Sequence, residues 1–394
     1  MMRVPLKEIV DFKKESVTPD KIVDSTSYVG LEHVFSDGRI SFIQVNNGDL
    51  ASNKFKFTEN HILYGKLRPY LRKIALPSFA GICSTDIVPL LPLKDKVVTE
   101  YLYHFLRSPD MVKLATERCS GANLPRISPK EIAEFKIPLP PLDQQRKIAS
   151  ILDTADAYRQ KTKALILKYD ELTQSLFLDM FGDPVANNKR WNVDKLKDLS
   201  IKIGSGNTPK GGKKVYVEQG ITFFRSMNVW KNNIVYDDIA YIDEVTHSKM
   251  PKSSLKHKDI LMTKTGRVNT ENSSLGRAAL YLGEDDQANV NGHVYLIRLK
   301  EGVLHEFVLH ILTSKEYRDL IRRVCVGGID KRQLNKDHIE DFPIIAPPLK
   351  LQKKFVENLK TIQEHKESLQ SSLEKAEDLF NSLLQKAFKG ELTA

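Results

Sequence analysis

The stretch FKIPLPPLDQQRKI (Phe135–Ile148) returns as FPIIAPPLKLQKKF (Phe342–Phe355), 207 positions later. Internal similarity at a fixed offset constrains a fold more than any single motif, because each copy must fold as one version of the same unit. The match continues forward at that offset: Leu152 meets Leu359, Thr154 meets Thr361, Lys168 meets Lys375, Leu176 meets Leu383 and Phe181 meets Phe388. Backward, Ile132 meets Ile339, Gly121 meets Gly327 one gap later, and STDIVPLL (84–91) stands over NGHVYLIR (291–298). HILYGKLRPYLRKIAL (61–76) aligns with DILMTKTGRVNTENSSLGRAAL (259–280) if the second copy carries a loop insertion, and YVGLEHV (28–34) aligns with FFRSMNV (223–229). Every element recurs in the same order, so the chain reads as a tandem duplication. Its 394 residues also exceed what one core organises, which leads to the same conclusion.

Each copy ends in a helical tail. Pro140–Pro141 and Pro347–Pro348 close an extended segment and suit a first helical turn. No Gly or Pro follows until after Phe181, which predicts about 38 helical residues, roughly 57 Å at 1.5 Å each. Apolar residues recur with a period near 3.5 at Ile148, Ile151, Ala155, Tyr158, Thr162, Leu165, Tyr169, Leu172 and Leu176. In the second tail they fall at Phe355, Leu359, Ile362, Leu369, Leu373, Ala376, Phe380 and Leu383. Such a seam needs a partner helix, and two in one chain can serve each other. Separate amphipathic helices on domain surfaces are the alternative, against which the length of both counts. The expected pairing is antiparallel, with a globular part at either end; parallel pairing would set the two parts side by side.

The globular parts read as mixed α and β. SYVGLEHV, ICSTDIVPLL, ITFFRSMNVW and VYLIRL look like strands, while VTEYLYHFLRS and LHEFVLHILTS alternate like helices. Each copy has one loop crowded with cationic groups. In the first, Lys66, Arg68, Arg72 and Lys73 are interleaved with Tyr64 and Tyr70; in the second, Lys264, Arg267 and Arg277 stand with Asn269 and Asn272. Arg and Lys pair with guanine edges and Asn with adenine, while further cations hold phosphate. Arg126 in the first copy, and Lys210, Lys213, Lys331 and Arg332 in the second, complete the candidate DNA-binding set. GSGNTPKGGKK (204–214) has the wrong spacing for a phosphate-binding P-loop and no Ser or Thr after the lysine, so it reads as a flexible basic loop.

Sixty Lys and Arg against 50 Asp and Glu give a formal charge of +10, which favours a polyanionic partner. Cys83, Cys119 and Cys325 are scattered without a CxxC pair, as in a reduced cytosol, and fit neither a disulfide framework nor a zinc cluster. The N-terminal MMRVPLKEIVDFKK has no apolar signal core and no run approaches a membrane span, so the expectation is a cytoplasmic protein without membrane contact. HExxH, GxSxG, GxGxxG and the Asn-Pro-Pro-aromatic motif of amino-methyltransferases are all missing, and the histidines lack metal-ligand spacing. No catalytic or metal-binding residue is expected.

These features together resemble the specificity subunit of type I restriction-modification enzymes, over essentially the whole chain. The resemblance is carried by IPLPPLDQQRKI and the diverged IIAPPLKLQKKF, by the tail ends SLFLDMFGDP (175–184) and SLLQKAFKGEL (382–392), and by ILYGKLRPYLRK. Leu351 stands where the first junction has Gln144, a departure, though Gln352 is kept. The resemblance implies an α+β fold: two similar mixed α/β target-recognition domains separated by two long helices in an antiparallel coiled coil, with a pseudo-two-fold internal repeat. Residues 1–141 and 183–348 would be the domains, 142–182 the central spacer helix and 349–394 the C-terminal one. Each domain would read one half of a bipartite asymmetric site in double-stranded DNA, with the helices setting the spacing. The chain itself would be non-catalytic and cofactor-free. Two methyltransferase subunits using S-adenosylmethionine would dock on it, and two restriction subunits using ATP and Mg would join. A DNA-binding scaffold that works alone and a methyltransferase with drifted motifs are the rival readings.

Overall fold

The computed structural model describes residues 3–121, 123–268, 270, 272–328 and 331–392. The chain divides by compactness into two units. Unit 1 is Met1–Leu165 with Ser368–Ala394, and unit 2 is Ile166–Glu367. The longer helices run Thr99–Arg107 (α1), Pro109–Glu117 (α2), Leu142–Phe181 (α3), His305–Thr313 (α4), Lys315–Val324 (α5) and Leu349–Lys389 (α6).

Unit 1 is built on a four-stranded antiparallel sheet in the order Val10–Asp11, Ile87–Pro92, Ile62–Gly65, Ile74–Ala75. Its strands bury both faces, with the period of two that a strand imposes. Ile62, Tyr64, Val88 and Leu90 pack with α1 and with the long helices. Leu63, Ala75 and Ile87 face the other way, onto Val29, Phe57 and Cys83 of a second sheet. That sheet runs Ser16–Val17, Lys54–Phe57, Gly81–Cys83, Thr26–Val29, Ile43–Val45.

Unit 2 repeats the first sheet strand for strand: Ser200–Ser205, Val294–Leu299, Ile260–Thr263, Ala278–Leu280. Ile260, Met262, Tyr295 and Ile297 pack with α4 and α5, while Leu261, Ala279 and Leu296 face Phe224, Val229 and Val290. Its second sheet has diverged to Tyr216–Val217, Ala240–Ile242, Ile221–Phe224, Ala288–Val290. One parallel pairing survives in both copies, Tyr28–Val29 with Ile82–Cys83 and Phe223–Phe224 with Asn289–Val290. Even a junction bond recurs: the Leu6 amide donates to Phe135 O and the Leu196 amide to Phe342 O, each at 2.9 Å.

Both units contain a piece of each long helix. In unit 1, Ile148 and Leu152 of α3 share a core with Phe380, Leu384, Ala387 and Phe388 of α6. Further along, the Tyr158 and Ser372 hydroxyls meet at 2.8 Å and Lys163 pairs with Glu377 at 2.7 Å. In unit 2, Tyr169 stacks on His365, and Phe177 and Phe181 meet Phe355 edge-on with centroids 5.3 and 5.6 Å apart. From Ile148 to Tyr158 in unit 1, and from Tyr169 to Phe181 in unit 2, α3 numbers rise as the α6 numbers they meet fall, so the pairing is antiparallel. Each helix stops at a glycine with positive φ, Gly182 (+76°) and Gly390 (+83°), the left-handed residue that lets a chain leave a helix without Cβ strain.

The α6 seam follows the sequence reading: Phe355, Ile362, Ala376 and Phe380 are buried, and Leu359, Leu369, Leu373 and Leu383 are half-buried. The α3 seam needs correction. Ile148 is buried and Ala155, Tyr169 and Leu176 are half-buried, but Ile151, Tyr158, Leu165 and Leu172 are exposed. The buried or half-buried places lie one residue later, at Leu152, Arg159, Ile166 and Thr173, while Tyr158 still reaches α6 through its hydroxyl on Ser372. The physical reason lies in adjacent apolar pairs such as Ile151–Leu152 and Leu165–Ile166, which permit two registers. Arg159 decides between them by laying its guanidinium 4.2 Å over the Phe380 ring and pairing with Asp156.

The repeated junction has a mechanical role. Gln145, 1% exposed, accepts from the Val98 amide (2.8 Å) and donates to Lys96 O (3.2 Å) and Pro140 O (2.8 Å). It thereby ties the start of α1 to the start of α3. Its counterpart Gln352 keeps the donation to Pro347 O at 2.8 Å.

Candidate nucleic-acid interface

The cationic loops follow the same inner strand of the first sheet in both units, Ile62–Gly65 and Ile260–Thr263, and backbone hydrogen bonds fix their correspondence. In unit 1 the Lys66 amide donates to Asp86 O (2.8 Å) and Lys66 O accepts from Ile127 (3.1 Å). In unit 2 the Lys264 amide donates to His293 O (2.8 Å) and Lys264 O accepts from Leu334 (2.9 Å). The loops close alike, by Gly65 donating to Lys73 O and Thr263 to Arg277 O, both at 2.8 Å. Lys66 therefore corresponds to Lys264 and Lys73 to Arg277, with the inserted residues between them in unit 2.

A hairpin lies beside each loop. In unit 1, Ser120 and Arg126 exchange backbone bonds, Arg126 bridges Leu67, and the Arg68 amide donates to Pro125 O (2.8 Å). In unit 2, Arg332–Gln333 pairs with Thr265–Gly266 on one side and Val326–Gly327 on the other. Lys66, Arg68 and Arg126 are thus brought together in one unit, and Lys264, Arg267, Lys331 and Arg332 in the other. By this register Arg126 corresponds to Gln333 and Arg68 to Gly266, so equal frames carry unequal side chains.

The side chains fall into two groups. Arg68, Tyr70, Arg72, Arg267 and Lys331 are exposed. Arg68 and Arg72 flank the turn Pro69–Leu71 with φ of 51° and 52°, a left-handed conformation that costs a non-glycine residue energy and clusters at functional sites. Burial, then Arg107 and Arg159, lowers the Arg72 pKa. The others are tethered. Lys73 Nζ donates to Leu31 O (2.7 Å), Arg126, though exposed, reaches Asp86 (3.4 Å), and Lys264 stands over Tyr295. Arg277 lies 3.8 Å over the Trp230 ring and donates to Ser273 O and Asn272 O; burial, then Arg318, lowers its pKa. Arg332 is half-buried, and its Nε is buried without a partner. Lys210 and Lys213 are exposed on the segment between Ser200–Ser205 and Tyr216–Val217. Asn269 lies outside the described residues.

Sequence reasoning missed the residues that brace these loops. Arg107 donates to Ile74 O (2.9 Å) and Ser36 O (3.0 Å), holding the first loop from α1. Trp230 does the corresponding work for Arg277. Arg107 has no repeat signal, since position 313 in the second copy is Thr, whereas Trp230 stands over Phe35 of the first copy.

The family model for the type I restriction modification DNA specificity domain matches residues 1–168 and again 188–377. The chain belongs to this family. Among specificity-family relatives, the EcoDI specificity subunit of Escherichia coli is 29% identical over 203 residues, 48% of this chain and 45% of that one. The chain thus spans under half of that relative. The MjaVIII specificity subunit of Methanocaldococcus jannaschii is 24% identical over 390 residues, 94% of this chain and 88% of its own length. The fold is that of the type I S subunit from M. genitalium, at 14% identity, a TM-score of 0.59 and coverage of 98% and 96%. A chain solved in work on complex assembly and conformational transition of the type I R-M system gives 0.60 at 19% identity, covering 99% and 98%. No helix among the described residues is long and apolar enough to cross a membrane.

Proposed function

We propose that this member of the specificity family is the non-catalytic DNA-reading subunit of a type I restriction-modification complex, each unit reading one half of a bipartite, asymmetric site. The observation that carries the reading is the pair of matched frames with different exposed side chains: Arg68, Tyr70 and Arg72 in unit 1, Arg267 and Lys331 in unit 2. A duplicated scaffold with divergent reading groups suits a site whose halves differ. Residues 1–141 and 183–348 act as the recognition domains, while the segments 142–182 and 349–394 set the spacing and dock two methyltransferase subunits. Two restriction subunits complete the nuclease. S-adenosylmethionine, ATP and Mg belong to those partners, and the complex works in the cytoplasm.

The test is to map modified sites after co-expression with the partner methyltransferase. Arg68→Ala is expected to relax one half-site and Arg267→Ala the other, each bidentate contact being worth about 1–3 kcal/mol of discrimination. If both variants weaken all DNA equally, these arginines are phosphate clamps and the assignment of one reading unit to each half fails. Methyl transfer by the lone chain would reverse the non-catalytic assignment.

A further inference from the structure

The two units share another basic feature at one topological position. In unit 1, residues 12–15 lead from Val10–Asp11, the edge of the first sheet, to Ser16–Val17, the edge of the second. In unit 2, residues 206–215 make the same passage from Ser200–Ser205 to Tyr216–Val217. The first connector carries Lys13 and Lys14; the second carries Lys210, Lys213 and Lys214.

In unit 1 this connector opens on a groove of about 790 Å³, floored by Val17, Phe57 and Ile82 and rimmed by Lys13, Lys14, Lys21 and Lys56. Glu15 is the one acid lining it and is already paired with Lys56. Lys13, Lys14 and Lys21 form no side-chain ion pair among the described residues, although Asp11 accepts from the Lys13 amide and Asp20 adjoins Lys21. Lys14 is half-buried beside Phe55, and burial followed by Lys66 lowers its pKa. An excess of cations at a partly desolvated site favours an anion. Strand Gly81–Cys83, which lines the groove with Gly81 and Ile82, leads within three residues to Asp86, whose carbonyl holds the Lys66 amide of the reading loop at 2.8 Å, so DNA held at that loop is the polyanion within reach.

We propose that the groove rimmed by Lys13, Lys14, Lys21 and Lys56 holds backbone phosphates of the duplex that unit 1 reads. This rests on the DNA-reading function proposed above. It adds sequence-independent contacts that position unit 1 without specifying bases. A free polyphosphate offers the same chemistry, and the test separates the two sources.

The experiment uses the full chain with its partner methyltransferase and a duplex carrying the modified site, with affinity measured across a range of KCl. For Lys13→Gln/Lys14→Gln/Lys21→Gln the slope of log K against log salt should become shallower by about 2.7, from about 0.9 per phosphate contact, with the preference over a scrambled duplex unchanged. Lys13→Gln/Lys21→Gln spares the half-buried Lys14 and should lose about 1.8. Unchanged slopes in both variants would overturn the proposal. So would inorganic tripolyphosphate binding that both variants lose while their DNA slopes stay at the wild-type value. If the wild type fails to discriminate its site from the scrambled duplex, the reading function fails, yet the slopes on either duplex still decide the groove.

Discussion

Replacing each junction glutamine by alanine should expose how unequally the two copies use the same residue. Gln145→Ala removes three hydrogen bonds at a position that is 1% exposed and strands the Val98 amide at the start of α1. At about 1 kcal/mol net for each bond, the local cost is about 3 kcal/mol. Gln352→Ala removes one donation from a half-buried side chain, for about 1 kcal/mol. Hydrogen exchange by mass spectrometry reads the difference directly, because the Val98 amide is itself protected by Gln145. Peptides covering Val98 should exchange roughly a hundredfold faster in Gln145→Ala, since about 1.4 kcal/mol is a factor of ten. Peptides over the start of α4 should change by less than about tenfold in Gln352→Ala. Equal effects in the two copies, or a larger one at Gln352, would refute the claim that this side chain fastens α1 to α3.

Other expectations follow from the helices and from unit 2. Leu152 is fully buried and Ile151 is exposed, so Leu152→Ala should cost about 2–5 kcal/mol and Ile151→Ala less than about 1. Denaturant melts of the two variants check the corrected register, and the reverse order would restore the original one. Burial, with Lys231 adding, pushes His310 down to about 4 from its ordinary 6.5. Between those values the unfolded chain takes up a proton that folded unit 2 refuses. Stability should therefore rise with pH through the window and fall by about 3 kcal/mol as pH drops across it. Hydrogen exchange of unit 2 at pH 7 and pH 4.5 measures this, and His310→Leu should weaken the acid sensitivity.

The duplication and its elements were legible because both copies obey the same local rules. Proline pairs start the helices, glycines stop them, and apolar runs mark strands buried on both faces. The strand Val294–Leu299 lies where the 207-residue offset from Ile87–Pro92 places it. Half of the α3 seam was misread because hydrophobicity ranks Tyr158 above Arg159, whereas packing rewards a guanidinium that can lie on Phe380. SYVGLEHV and ITFFRSMNVW marked strands of the second sheets, but how those sheets pair was not legible, since partners such as Ile221–Phe224 and Ala288–Val290 are remote in sequence. Among the site residues, sequence pattern does not separate a cation held on Trp230 from one facing solvent at Arg267. Lys13 and Lys14 were not singled out by the sequence; their equivalence to the Lys210–Lys214 segment emerged only from sheet order.

The composition of the units bears on how the chain matures at the ribosome. Unit 2 is one uninterrupted stretch and can consolidate as soon as it has emerged. Unit 1 must wait, because Phe380, Leu384, Ala387 and Phe388 of its core are synthesised only after residues 166–367. Until then its first 165 residues present an unfilled apolar face, so premature termination near residue 367 would cripple the unit encoded first and spare the one encoded second.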